Sequence, residues 1–430
     1  MRHTEEKMVL SRHEDEKLSF LTVCGICFLT FFLMFRYLVG GMAPFLLIAI
    51  AMLLAIRPVL RFRLELSDYL WLVYALAVLG LGLLRDDKSV TLNRFMILLL
   101  QLFIKWILQT NWQGWRSPFC RILFAMGCLH AAAVVIELFN PDFIRGINDL
   151  LRVESIRFSM VYRKGITNQP AVAGFCISIF VCIAMTAFLK TTKKTKVFFT
   201  FTTVFGLAAL LLTGKRALFA EVLGCCFLAA YLYYAVIQHK GFKMFTAGLV
   251  IIAALPFIAQ LPVFQLNVDR LLHGDDAGRY VIYNVLINNF KSSPLVGVGR
   301  DVFREQMDIG AHNEYLRVLS ENGLFGFVFF LPALLVPLLK ILGVIVLKRV
   351  VLLQMLATEQ RDEVFALLMS VFWQITILLY SMTGNPLNTI DQTTSYFVFV
   401  AIGTGAVRKL IPFMDEGRAL KAARPLRQEE

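Results

Sequence analysis

Residues 323–347 read GLFGFVFFLPALLVPLLKILGVIVL, a run of 25 with one charge, Lys340. A helix needs about 20 apolar residues to cross the hydrocarbon core of a bilayer, and this run supplies them. Comparable runs recur along the whole 430-residue chain, near 18–35, 38–56, 68–84, 93–109, 119–140, 170–189, 197–213, 217–237, 243–261, 364–382 and 393–412. Hydrophobic residues make up 58% of the chain and charged ones only 17%, where a soluble domain carries about a quarter charged. The reading is an all-α polytopic membrane protein with about twelve transmembrane helices. The first residues are polar and of mixed charge, and the run from Leu18 shows no small-residue cleavage site, so it reads as a retained span.

The net charge of +13 is gathered in alternate connections rather than on an aromatic-interleaved surface, which argues against nucleic acid as a partner. The basic connections carry Arg57, Arg61 and Arg63; Arg116 and Arg121; Lys190, Lys193, Lys194 and Lys196; Lys240 and Lys243; and Lys348, Arg349 and Arg361. The tail adds Arg408, Lys409, Arg418, Lys421, Arg424 and Arg427. By the positive-inside rule these face the cytoplasm together with both termini. The opposite face then holds two long connections, 141–169 and 262–322. The chain divides accordingly into N-terminal spans over 1–261, a large outer loop over 262–322, and C-terminal spans with a basic tail over 323–430. Within the large loop Arg279, Ile282, Tyr283, Leu286, Ile287 and Phe290 recur at helical spacing until Pro294, Gly297 and Gly299 break the pattern. The eight cysteines lie in or beside apolar runs, and the Cys24–Cys27 pair sits inside one, so they read as small buried hydrophobes.

Working back from residue 323, Asn313 suits a helix cap, Glu314 its first turn and Gly323 its stop. His312 therefore stands just before a helix N-terminus at the outer membrane edge. The positive end of the helix favours a neutral imidazole, which suits a base working near neutral pH. A plain hydrogen bond from the ring to loop backbone is the competing reading. Arg216 lies in Thr213-Gly214-Lys215-Arg216 between two apolar runs. Its planar fork matches a phosphate, although an interfacial anchor has the same sequence appearance. Arg279 opens the loop helix on the same side. Two cations and one base on one face suit a pyrophosphate leaving group and an attacking hydroxyl. Arg157, Arg163 and Lys164 enrich the smaller loop ahead of Asn168-Gln169-Pro170 and either bind phosphate or glycan or solvate the loop. Asp86-Asp87 and Asp275-Asp276 lack helper ligands for a divalent ion and read as solvated turns. Lys105, His130 and Glu137, inside spans, are candidates for function or for partnering within the bundle.

His312-Asn313 followed by Gly323-Leu324-Phe325-Gly326 resembles the motif of the bacterial O-antigen ligase and polymerase family. Gly278-Arg279 and Ser293-Pro294-Leu295-Val296-Gly297-Val298-Gly299 are similar to that family's large periplasmic loop. Thr213-Gly214-Lys215-Arg216 resembles its arginine motif, with Lys215 where serine is common, and Asn168-Gln169-Pro170 an asparagine-proline step in the smaller loop. The resemblance covers roughly residues 160 to 330. It implies a GT-C-like glycosyltransferase of the bacterial inner membrane that needs no metal, nucleotide or other cofactor. The donor would be an undecaprenyl-pyrophosphate-linked glycan at the periplasmic face. The acceptor would be another glycan for a polymerase, with a chain-length regulator as partner, or the lipid A core for a ligase. On this resemblance Arg216 and Arg279 bind the pyrophosphate and His312 serves the acceptor hydroxyl. Lys215, Asn313, Arg163, Asn168 and Tyr283 are the expected substrate-binding residues, with membrane lipid around the spans. Polymerase is slightly favoured because nothing in the sequence specifies a lipid A core. A transporter or flippase of lipid-linked sugar is the alternative from another class, and paired repeats with broken helices, its usual mark, are not seen.

Overall fold

The computed structural model describes residues 20–55, 64–84, 88–110, 112–153, 162–191, 193–241, 260, 278–307, 310–358 and 360–423. Its helices are α1 (Phe20–Val39), α2 (Ala43–Ala55), α3 (Leu66–Leu83), α4 (Lys88–Thr110), α5 (Trp112–Phe139), α6 (Pro141–Leu150), α7 (Pro170–Lys190) and α8 (Lys193–Leu212). They continue with α9 (Arg216–Tyr231), α10 (Arg279–Ser292), α11 (Arg300–Met307), α12 (Glu314–Leu347), α13 (Arg349–Met355), α14 (Arg361–Tyr380) and α15 (Ile390–Ala423). No strand occurs among the described residues.

Ten helical runs among the described residues are long and apolar enough to span a membrane. The first, Phe20–Ala55, contains both expected spans at 18–35 and 38–56, because α1 and α2 pack on each other across a tight turn at Gly40–Met42. The expected span at 243–261 lies outside the described residues apart from residue 260, and Arg157, Asp86-Asp87 and Asp275-Asp276 lie outside them too. The protein is thus an all-helical, multi-pass membrane protein.

Burial separates the spans into an inner and an outer set. In α7 and α15, 83% of the apolar window is buried, against 28% in α3 and α8. Yet α15 is the least apolar of these spans. Lipid tails offer no hydrogen-bond partner, so a polar helix is driven to the centre of the bundle. There Thr394 of α15 receives the Gln101 amide of α4 at 3.0 Å, and Ser395 the Trp373 indole of α14 at 3.1 Å.

Lys105 of α4 forms an ion pair with Asp68 of α3, with side chains 1% and 0% exposed. The bundle-partner reading of Lys105 is therefore sufficient. Removing one member of such a pair leaves an uncompensated buried charge, which costs about 3–5 kcal/mol, while replacing both by apolar side chains is near neutral. Lys105→Met is expected to lower the melting temperature of the purified protein strongly, and the double variant with Asp68→Leu to restore it.

Basic residues of several expected inner connections meet at one end of the bundle. Arg116 contacts Glu363 at 3.2 Å, Lys190 contacts Asp362 at 2.6 Å and Lys409 contacts Glu363 at 2.9 Å. Both carboxylates belong to the first turn of α14. The other end of α14, Tyr380, lies about 30 Å away at 1.5 Å per residue, and Arg279 and the loop of His312 lie near it.

Candidate functional site

The first wall of the site is the Thr213–Lys215 turn between α8 and α9. Thr213 Oγ1 donates to the Leu210 carbonyl at 2.7 Å, which closes the end of α8. Gly214 then takes φ +68, and any side chain there would run into the Tyr162 ring. Glycine meets both demands, a left-handed backbone and room for an aromatic face. The Arg163 N–H adds a bond to the Leu212 carbonyl at 3.0 Å. The smaller loop is thereby pinned against the turn that presents Lys215 and Arg216, both half-buried.

Behind Arg163, the backbone N–H groups of Lys164 and Gly165 both donate to Glu137 Oε2 at 2.7 Å. This carboxylate holds the loop, so the partner of Glu137 is loop backbone rather than another span. Burial pushes the Lys164 ammonium below the usual lysine range, against the opposing pull of Glu137 and Asp149. Arg163 Nε and Asn168 Oδ1 are buried with no hydrogen-bond partner among the described residues. His130 is packed among the rings of Phe35 and Tyr37 inside the bundle.

The second wall is α10. It starts at Gly278 (φ +74) and buries Ile282, Leu286 and Asn289, so the helical spacing read from the sequence is followed while Ile287 stays exposed. Arg279 and Tyr283 stand four residues apart on one face. The Tyr283 hydroxyl donates to the His312 carbonyl at 3.2 Å. Ala311 is buried with Ile282, Leu286 and Phe303 in a small apolar cluster of its own, which docks the histidine loop on α10.

His312 itself has φ +53, the left-handed region. Such a backbone costs a non-glycine residue about 1–2 kcal/mol, and the bonds on either side hold it there. Asn313 Oδ1 accepts the Leu316 N–H at 3.0 Å and caps α12, and the Glu314 N–H donates to the Ser381 carbonyl at 2.8 Å. His312, half-buried, is therefore carried on a loop held between α10 and the end of α14.

The third wall is that end of α14. Tyr380 lies within electrostatic reach of Glu221, Arg279 and Asp391. Glu221, five residues beyond Arg216 on α9, accepts the Thr383 hydroxyl at 3.1 Å. Asp391 pairs with Arg36 of α1 at 3.6 Å. So Arg279 and His312 are joined through α10, and the Arg216 helix reaches the same end through Glu221. Glu221, Tyr380, Asp391 and Arg36 were not anticipated. A charged side chain inside an apolar run was the available signal for Glu221, and one between two closely spaced runs the signal for Arg36.

Beneath His312, the first turns of α12 are buried rather than solvated. Arg317 pairs with Glu314 and Glu321, and Arg94 reaches Glu321 at 3.4 Å. The helix path breaks at Gly323, with φ +62 and ψ −166. The Val298 and Gly299 N–H groups donate to the carbonyls of Ser320 and Glu321 at 2.9 and 3.1 Å. Leu324 and Phe325 donate in turn to the carbonyls of Pro294 and Leu295 at 2.9 and 3.0 Å. The glycine-rich segment 293–299 is thus a strap laid into the break, and its backbone groups satisfy those the break exposes.

The family model described as O-antigen ligase matches residues 201–331. Arg216, Arg279, the strap, His312 and Gly323 all fall inside that region, whereas Arg163 and Asn168 precede it. No curated protein matches the chain.

Proposed function

From residues 201–331, which match the O-antigen ligase family, we propose a periplasm-facing glycan polymerase with Arg216, Arg279 and His312 as its chemical centre. The family match supports a membrane enzyme of glycan transfer in polysaccharide assembly. The donor in this reading is a glycan on undecaprenyl pyrophosphate, and the acceptor is a hydroxyl of a second lipid-linked glycan. The protein lies in the bacterial inner membrane with both termini cytoplasmic. The observation that carries the reading is the junction at α10. One helix presents Arg279 and, a turn later, holds the His312 loop through Tyr283.

The reaction follows from those positions. Arg216 and Arg279 hold the pyrophosphate and stabilise the charge that develops as it leaves, where fixed cations act most strongly. His312 accepts the proton of the acceptor hydroxyl. That oxygen bonds to the anomeric carbon as the carbon–oxygen bond to pyrophosphate breaks, and undecaprenyl pyrophosphate departs. Arg163 and Asn168, whose Nε and Oδ1 atoms are unpartnered among the described residues, are suited to the sugar or phosphate nearer the smaller loop. Lys215 adds a cation beside Arg216. Asn313 and Tyr283 use their oxygens to hold the histidine loop, and their contribution to substrate is through its placement.

Ligation to a lipid A core uses the same donor chemistry and differs only in the acceptor. A strain lacking the protein distinguishes the two. A polymerase loss leaves single-repeat surface glycan, and a ligase loss leaves full-length glycan on the carrier lipid. Restoring the strain with Arg279→Ala is expected to leave the defect in place. Full complementation by normally inserted Arg279→Ala overturns the assignment of Arg279.

A further inference from the structure

At the end of the bundle away from Tyr380, a cavity of about 450 Å³ opens between α5, α7, α8 and α14. Arg116, Arg121, Lys190 and Asp362 line its polar part, and Phe124 and Phe199 its apolar part. Charge is unbalanced there. Arg116, Lys190 and Lys409 share the two carboxylates Asp362 and Glu363. Arg121 is exposed and pairs with no carboxylate among the described residues. Four cations therefore stand around two acids at a helix-bundle end.

The apolar part is a continuous aromatic wall. Phe124 packs against Phe180, Phe198 and Phe199 with centroids 5.1, 6.2 and 5.9 Å apart. Phe198 and its neighbour Val197 are exposed on the outer face of α8, a span that the bilayer surrounds. A ligand that fits both parts carries a phosphate at one end and a hydrocarbon chain at the other. Basic pockets between spans at a membrane boundary have that use.

We propose that this cavity binds an anionic phospholipid of the surrounding leaflet. Its phosphate is held by Arg121 with Arg116 and Lys190, and an acyl chain runs along Phe124 and Phe199. The site is separate from the proposed glycan-transfer centre, which lies about 30 Å away along α14.

The test uses the full-length protein in detergent, with bound lipid counted by native mass spectrometry. Phosphatidylglycerol, phosphatidylcholine and inorganic phosphate serve as the probes. Wild type is expected to retain phosphatidylglycerol well above phosphatidylcholine. Arg121→Gln, a change at an exposed side chain, is expected to weaken phosphatidylglycerol about five-fold and to leave phosphatidylcholine unchanged, since one cation near a lipid surface is worth about that factor. Arg145→Gln, an exposed cation of α6, is expected to change neither. Equal retention of the two lipids, or unaltered phosphatidylglycerol binding by Arg121→Gln, overturns the proposal. Displacement of phosphatidylglycerol by millimolar inorganic phosphate also overturns it, in favour of a free-anion site.

Discussion

His312→Gln is expected to lower glycan transfer by about a hundred- to ten-thousandfold, the worth of a positioned general base, while insertion and melting temperature stay near those of wild type. Glutamine keeps a polar side chain of similar reach but cannot accept a proton near neutral pH. A loss of activity alone would not separate chemistry from folding, because His312 has φ +53 and its loop is held by bonds on both sides. His312→Gly makes that separation. Glycine takes the left-handed backbone freely, so this variant is expected to be as stable as wild type or more stable by about 1 kcal/mol. It is nonetheless expected to be as inactive as glutamine. A glycine variant that keeps full transfer would show that the loop backbone, not the imidazole, is what the reaction needs.

The largest expected effect on stability is at Gly323. With φ +62 and ψ −166 it occupies a region essentially reserved for glycine, and a Cβ there would run into the Leu295 carbonyl. Strain of this kind costs roughly 1–3 kcal/mol, and the clash is with backbone that cannot rotate away. Gly323→Ala is therefore expected to cost at least about 3 kcal/mol and to free the strap from Ser320 and Glu321. The consequence reaches the site, because Glu321 belongs to the Arg317 and Arg94 charge network directly below His312. Thermal unfolding and protease cleavage near residues 293–299 would report it. Gly343→Ala provides the contrast. It lies in the same helix with open space around its Cβ position, so it is expected to be neutral or slightly stabilising.

Much of this architecture was legible in the sequence, for local reasons. Apolar run length marks spans because the bilayer thickness is fixed. The helical period from Arg279 to Phe290 and the Asn313 cap were readable because each depends on residues within a turn or two. The α6 helix was missed although Asn140 and Pro141 carried a capping signal, and the Asn140 side chain does accept the Phe143 N–H at 3.1 Å. Contacts between distant segments were not legible. Nothing local in Glu221 names Thr383, and nothing in Asp68 names Lys105. The burial of Glu314, Arg317 and Glu321 was hidden for the same reason. Nothing local in their charges names Arg94, more than two hundred residues earlier, which the fold brings beside them. Glycines 297, 299 and 323 were seen as breakers, but their joint use as a strap and a break depends on backbone pairing across the two segments.

Glycan transfer from a lipid pyrophosphate to a hydroxyl through His312 and Arg279 is the reaction we propose for this membrane protein. Its most direct test is a proteoliposome reaction with undecaprenyl-pyrophosphate-linked repeat units, followed by mass spectrometry of the products and by the sidedness of the remaining donor. Longer lipid-linked glycan and released undecaprenyl pyrophosphate are expected with wild type, and neither with His312→Gln or Arg279→Ala. Movement of intact donor across the bilayer with no glycan joined, or undiminished transfer by both variants, would contradict it.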